Sequence, residues 1–302
     1  MSLFFVLGAT ILIAAGTWQY LRYLRVRRER LEDRQPSFYP RESFHTVTFL
    51  KVADSLGREG EFEALRQLRR AIEAPGGGRV VYAGLVAVNM AASTRLPNDW
   101  SALVLAQYPS QDGFERQREG TELGQVLDGC ERSYVHGFRR PAITNLLIPL
   151  ALGGLRVRDI LLRRKSILPF EPLALEDAVP PIQAKRKEIL ALEDYRDIRD
   201  DAILVVNLIL PGTADQQAAD RAYSGAMLRG MAEGGYGPMH MGRAVSVEGE
   251  HNYKQFVAVY YPGIDYMHAM IGSTFINRVG PGKQLGDTLA VATIPVLAKL
   301  GG

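Results

Sequence analysis

The sequence predicts an α+β protein, with one apolar N-terminal helix followed by two β-α-β-β-α-β units. Three observations predict it. An uncharged apolar run extends from Leu3 to Leu21, the hydrophobic period switches repeatedly between strand-like and helix-like from Phe44 onward, and short residue patterns recur in the same order in both halves.

The apolar run has the length of a membrane span, which takes about 20 residues of helix. Trp18, Tyr20 and Tyr23 stand at its C-terminal end, where amphipathic rings favour the headgroup zone. Arg22, Arg25, Arg27, Arg28 and Arg30 follow. Positive charge therefore comes after the apolar run, whereas a cleavable signal peptide carries it before. The positive-inside bias predicts a single-pass anchor in a bacterial inner membrane, with the body in the cytoplasm and these five arginines on anionic lipid. The competing reading is a buried core helix; the charge-free length followed by a basic cluster favours the span. Residues 24–43 read as a basic juxtamembrane linker, broken by Pro36 and Pro40.

In the first repeat, residues 44–152, Phe44 to Val52 alternates as a strand. Glu59 to Glu73 places Phe62, Leu65, Leu68 and Ile72 at helical spacing, and a Pro-Gly-Gly-Gly stop follows at 75–78. Arg79 to Met90 and Trp100 to Tyr108 are two further strands. Gln111 to Tyr134 reads as one long helix, and Ala142 to Ala151 as the closing strand. The second repeat, residues 202–302, runs through a strand at 202–210, a helix at 215–233 and strands at 239–247 and 253–261. A helix at 265–279 and a last strand at 288–297 complete it. Tyr108-Pro109 is matched by Tyr261-Pro262, Ile148-Pro149-Leu150 by Ile294-Pro295-Val296, and Gly84 by Gly242. Proline cannot donate to a ladder, so a Tyr-Pro step suits a strand end. Residues 153–201 form a long inter-repeat linker. Its basic-apolar part, 155–168, suits either the membrane surface or a helix packed across the two units.

The β-α-β-β-α-β order is the ferredoxin-like split βαβ motif, whose sheet bears helices on one face only. Two copies bury the other faces against each other, which predicts sheet-to-sheet packing. At this point the chain resembles the dimeric α+β barrel superfamily in a fused, tandem form. Trp100, the strand SALVLAQYPS and the following QDGFERQREG resemble an uncharacterised bacterial group within it. The resemblance implies two classes of relative. One is haem enzymes whose iron is held by a single histidine, a role compared here with His240 or His268. The other is cofactor-independent oxygenases acting on aromatic or polyketide-like substrates, whose sites use Asn, Trp, Tyr and His.

Composition narrows the function classes. The chain of 302 residues is 47% hydrophobic and 23% charged with a net charge of +3, and much of that excess lies in the arginine run, so nucleic acid is not a predicted partner. A lone Cys130 excludes an internal disulfide and any multi-cysteine metal site. No phosphate loop, dinucleotide fingerprint, nucleophile elbow or zinc signature is present. The candidate ligand-binding residues are His240, Tyr261, Asn207, Asn89 and Trp100. Strand alternation puts His240 and Gly242 on the inner face and Arg243 on the outer. Tyr261 is placed near the imidazole, and Gly242 leaves room for a ligand or a neighbouring backbone. His45 opens a strand, and His251 falls in the turn at 248–252. With no acid, base and nucleophile clustered in sequence, the main expectation is a membrane-anchored binding or scaffold protein. It would engage an apolar small molecule, a lipid, a membrane protein or a further copy of itself. A cofactor-independent or haem-dependent oxidoreductase is the alternative.

Overall fold

In the computed structural model, residues 2–91, 93–249 and 253–301 are described. His251 lies outside the described residues. Helix α1 (Ser2–Glu29) precedes the first unit, β1 (Phe44–Lys51), α2 (Gly57–Ile72), β2 (Arg79–Ala91), β3 (Ala102–Tyr108), α3 (Gln111–Glu119), α4 (Thr121–Asp128) and β4 (Arg132–Arg139). Helices α5 (Thr144–Leu161) and α6 (Pro180–Glu188) connect it to the second unit. That unit comprises β5 (Ile203–Ile209), α7 (Ala214–Gly234), β6 (Pro238–Val245), β7 (Gln255–Tyr261), α8 (Ile264–Ile271), α9 (Thr274–Val279) and β8 (Thr288–Pro295).

The eight strands close into one barrel in the order β1-β3-β2-β8-β5-β7-β6-β4. Each half contributes a four-stranded antiparallel sheet, and the halves meet edge to edge at two seams, β2 with β8 and β4 with β6. The expected stacking of two separate sheets is thereby corrected. Hydrogen bonding across both seams removes every free edge, which face-to-face stacking would leave exposed.

The alternation of β1 shows how the barrel sorts its residues. Val47 and Phe49 point into the interior with Leu103, Leu105 and Tyr134, while Phe44 and Leu50 pack outward against Leu65, Leu68 and Ile72 of α2. The interior is filled with side chains. Phe138 of β4 stacks on Phe256 of β7, over Gly242 of the intervening β6, at 4.0 Å between centroids, and Tyr82 bonds Thr293 at 2.7 Å across the β2–β8 seam. Gly137 on β4 faces outward, where a Cβ would stand 2.3 Å from Cζ of the buried Phe44 ring. Gly137→Ala is expected to lower unfolding free energy by about 1–3 kcal/mol, because a locked ring must leave its rotamer; chemical denaturation checks it.

Two elements of the first unit differ from the sequence reading. The fourth strand is Arg132–Arg139, which begins within the last residues of the stretch read as helix and runs on through residues assigned to no element, and the apolar stretch 142–151 read as a strand opens helix α5. Pro149 is thus a helix-interior proline, and its match to Pro295 on β8 does not hold.

The N-terminal helix is the larger correction. Among the described residues no helix is long and apolar enough to cross a membrane. The first part of α1 leaves Val6, Leu7, Ile11 and Ile13 exposed, but its second part belongs to the folded body. Gln19, Tyr23 and Arg27, spaced i, i+4, i+8, are all buried, and Leu31 follows them fully buried. Helix α1 packs on α5, where a Cβ on Gly16 would meet Leu150 at 3.3 Å. Arg22 donates to the Gly234 carbonyl at 3.0 Å, Arg30 pairs with Asp201, and Arg27 is buried on Asp33 at 2.6 Å. Arg25 pairs with Glu29 along the same helix at 2.8 Å, so four of the five arginines assigned to a lipid surface are engaged by the protein itself. The single-pass anchor, the inner-membrane location, the bilayer and membrane-protein partners, and the anchored-scaffold function built on them are not sustained. The basic-apolar stretch at 155–168 continues α5 and then packs along α7, with Asp159 accepting from Arg229 at 2.6 Å.

Candidate active site

The two halves differ on their helix-facing sides. In the first, α2, α3 and α4 seal the sheet completely: Leu65, Leu68, Ile72 and Phe114 fill the space over Phe44, Val104 and Tyr108. In the second, α7 stands over β5, β6 and β7 and leaves a cleft of about 250 Å³. Its floor is Val205, Asn207, Val257, Val259 and Tyr261 from the sheet, and its roof is Tyr223, Met227 and Met231 from α7. Lys283 and Asp220 stand in its wall.

The sequence makes this wall in a specific way. Helix α7 starts from Thr213, whose hydroxyl accepts from Gln216 N while the Gln216 side chain caps Thr213 in return. Two to three turns later Asp220 and Tyr223 are presented to the cleft, while Gly280-Pro281-Gly282 turns the chain back so that Lys283 faces them. Partial burial raises the Asp220 carboxyl above its usual range, against the opposing charge of Lys283. Lys283 is an exposed residue at the rim of the cleft, where partial desolvation and the nearby Lys185 charge lower its ammonium from the ordinary lysine value toward about 8, while its contact with solvent limits the shift. Burial keeps both tyrosines protonated, with Tyr223 pushed up to about 12 and Tyr261 well above its ordinary value. The cleft is therefore apolar, with phenol donors on two sides and, at its rim, an amine that gives up its proton more readily than an ordinary lysine.

The structure disperses the residues singled out from sequence. Asn207 and Tyr261 line the cleft, where Asn207 donates to the Val257 carbonyl at 3.2 Å. Asn89 and Trp100 clamp the β2–β3 connection: Trp100 N donates to Asn89 Oδ1 at 3.3 Å, and the indole packs on Phe49. Strand register puts that pair at the opposite end of the barrel from His240. His240 is fully buried on the inner face and Arg243 is exposed, as alternation predicts. Tyr261 points to the other side of the sheet, so its hydroxyl does not serve the imidazole. Gly242 serves backbone approach, since a Cβ there would stand 2.6 Å from the Arg139 carbonyl oxygen. Lys283, Asp220 and Tyr223 were missed; the only signal for them was Asp220 and Tyr223 at i, i+3 on the predicted helix.

His240 belongs to a second, enclosed group at the end of the barrel covered by α1. Its Nε2 lies 3.0 Å from Asp33 Oδ2, and its Nδ1 lies 3.1 Å from Arg140 Nη1. Arginine has only protons to give, so Nδ1 accepts and Nε2 carries the hydrogen that faces Asp33. Burial and two guanidiniums outweigh Asp33 and lower the imidazole to about 4, so it is neutral. Arg27 holds Asp33 ionised, well below the usual carboxylate range despite its burial. Arg140 bonds only neutral acceptors, which are Gln35 Oε1, Asn145 Oδ1 at 2.7 Å, the Met239 carbonyl at 3.1 Å and His240.

A haem does not fit the residues present. His45, His136 and His240 are buried inside the filled barrel. His268 sits in a shallow, open groove with its Nε2 2.8 Å from Glu193. No described histidine faces the cleft, so an axial ligand and an enclosing apolar slot do not coincide. Among the described residues no group of three or more His, Cys, Asp or Glu is placed to hold a metal ion.

No family model matches the chain, and no curated protein matches it. Solved structures give a loose likeness. A dye-decolorizing protein from V. cholerae is 14% identical, with 88% of this chain and 96% of that one covered at a TM-score of 0.44. Chlorite dismutase from Candidatus Nitrospira defluvii in complex with imidazole is 8% identical, with 87% and 95% covered at 0.41. A proposed monooxygenase from Lactobacillus acidophilus NCFM is 8% identical, with 84% and 94% covered at 0.40. At these scores nothing about activity is drawn from them. The barrel topology itself is the arrangement that the α+β barrel resemblance implied.

Proposed function

We propose that the chain is a cofactor-independent oxidoreductase of the α+β barrel kind, a fused pair of ferredoxin-like halves that uses the cleft behind its second sheet. Its substrate class is a small, largely apolar aromatic with an acidic methylene or phenol. The observation that supports this reading is the placement of a base, Lys283, beside Asp220 in the wall of an otherwise apolar cleft faced by Tyr223 and Tyr261.

The chemistry balances with dioxygen as the only co-reactant. Neutral Lys283 takes a proton from the substrate methylene. The carbanion gives its electron pair to dioxygen and forms a carbon–oxygen bond. The lysine ammonium returns its proton to the resulting peroxide oxygen. Loss of the remaining C–H proton breaks the O–O bond and releases water, so the methylene leaves as a ketone. Low polarity inside the cleft favours the step, because delocalised carbanions suffer little from desolvation. The phenols of Tyr223 and Tyr261 donate to the developing enolate oxygen.

Anthrone serves as the probe. The protein should consume one oxygen per ketone formed, incorporate one labelled atom from dioxygen, and gain rate as pH rises through about 8. Lys283→Met should lower the rate about a hundredfold. Equal rates in Lys283→Met and the parent chain, or a rate independent of pH between 6 and 9, would remove the proposal.

A further inference from the structure

We propose that the barrel end covered by α1 is a binding site for one small monoanion, of formate or chloride size, held by Arg140, Tyr39, Gln35 and His45. Charge is the first reason. The ionisable groups that face one another there are Tyr23 and Arg27 from α1, Asp33, Tyr39, His45 from β1, Arg140 after β4 and His240 from β6, both phenols being kept protonated by burial. Both imidazoles are neutral, so two guanidiniums face one carboxylate and a single positive charge is left over. It resides on Arg140, since Arg27 already takes Asp33 through Nε at 3.0 Å and Nη2 at 2.6 Å. A buried cation with only neutral acceptors is costly unless an anion joins it.

Hydrogen bonding is the second reason, and it is independent of the first. Arg140 Nε, Tyr39 Oη, Gln35 Nε2 and both ring nitrogens of His45 are buried with no protein partner. They lie together. Arg140 Cζ is 5.2 Å from the Tyr39 ring centre, Tyr39 and His45 rings are 5.1 Å apart, and Gln35 bonds Arg140 directly. Arg140, Tyr39 and His45 are 6%, 4% and 0% exposed. Every one of these side chains has a proton to give. A monoanion accepts from all four and, unlike a water, also cancels the charge left on Arg140. The enclosure and the Phe138 ring stacked on His45 at 5.2 Å favour a small ion of low charge over sulfate or phosphate.

The anion would tie three separate segments together: the linker through Gln35 and Tyr39, β1 through His45, and the β4–α5 turn through Arg140. Its effect is therefore read as stability. The full chain in sodium gluconate is titrated with sodium formate or sodium chloride at fixed ionic strength while its thermal midpoint is followed. The midpoint should rise and saturate with either ion but not with sulfate. Tyr39→Phe, which keeps the charge and the ring, should raise the half-saturating concentration about tenfold, and Arg140→Gln should abolish the response. The proposal is overturned if gluconate, sulfate and formate act alike on the parent chain. It is equally overturned if Tyr39→Phe titrates as the parent does, a result that stands even if Arg140→Gln does not fold.

Discussion

Replacing Asp33 by Asn is expected to lower unfolding free energy by about 3–5 kcal/mol, the usual loss when one partner of a buried ion pair is removed. Asp33 is 4% exposed and serves three groups at once: Arg27, His240 and the Gln35 amide, which donates to its other oxygen at 2.9 Å. Its loss leaves two buried guanidiniums with no carboxylate. The cost is one of uncompensated charge rather than of lost contact, and that distinction can be measured. An Arg27→Met, Asp33→Leu double variant removes the pair together and should recover much of the loss. Guanidinium unfolding followed by circular dichroism should show a lower midpoint with an unchanged slope for Asp33→Asn. A loss below about 1 kcal/mol would mean that the cluster contributes little to holding α1 on the barrel.

The same residues explain why the N-terminus was misread. Leu3 to Leu21 satisfies every composition rule for a span, and composition is all that a hydropathy window weighs. The contrary signal was periodic: Gln19, Tyr23 and Arg27 fall on one helical face, an i, i+4, i+8 row of polar groups that lipid would not accommodate. Read as five arginines in a cluster, they point to a surface. Read as a helical row, Arg27 points inward and calls for a carboxylate, which Asp33 supplies six residues on.

Strands and helices with a clean period were legible, as in β1, α2, β5 and α7. The stretch around β4 was not. Tyr134, His136 and Phe138 alternate with Ser133, Val135 and Gly137, a two-residue period hidden by the helical pattern that runs up to it through α3 and α4. The short turn at Gly129-Cys130 carries no proline to mark the change. Beyond it, Leu146 to Leu152 is apolar on all sides, and a short apolar run does not distinguish strand from helix. The site was less legible still. Lys283 reaches Asp220 only because β8 closes the barrel beside β5, and no local pattern encodes that approach.

Stability is also expected to fall as pH drops from about 6.5 toward 4, before most exposed carboxylates titrate. His240 has its imidazole lowered from 6.5 to about 4 by burial and by Arg140 and Arg27, against the opposing pull of Asp33. His45 is held well below 6.5 by burial and by Arg140 and His240, again opposed by Asp33. A group with a depressed folded value binds its proton in the unfolded chain first. Its contribution is full above 6.5 and is lost as pH falls through the window, so the sign is destabilisation by acid. For His240 alone the window corresponds to roughly 3 kcal/mol. Asp33 adds the same sign at lower pH, since its contribution is present above the ordinary carboxylate range and lost only beneath it. Unfolding free energies at pH 7.5, 6 and 5 separate the two effects. A His45→Gln, His240→Gln double variant should be less stable at pH 7.5 but nearly flat across the window. If the double variant keeps the parent's slope, the acid sensitivity arises elsewhere and the two imidazoles do not couple the barrel end to pH.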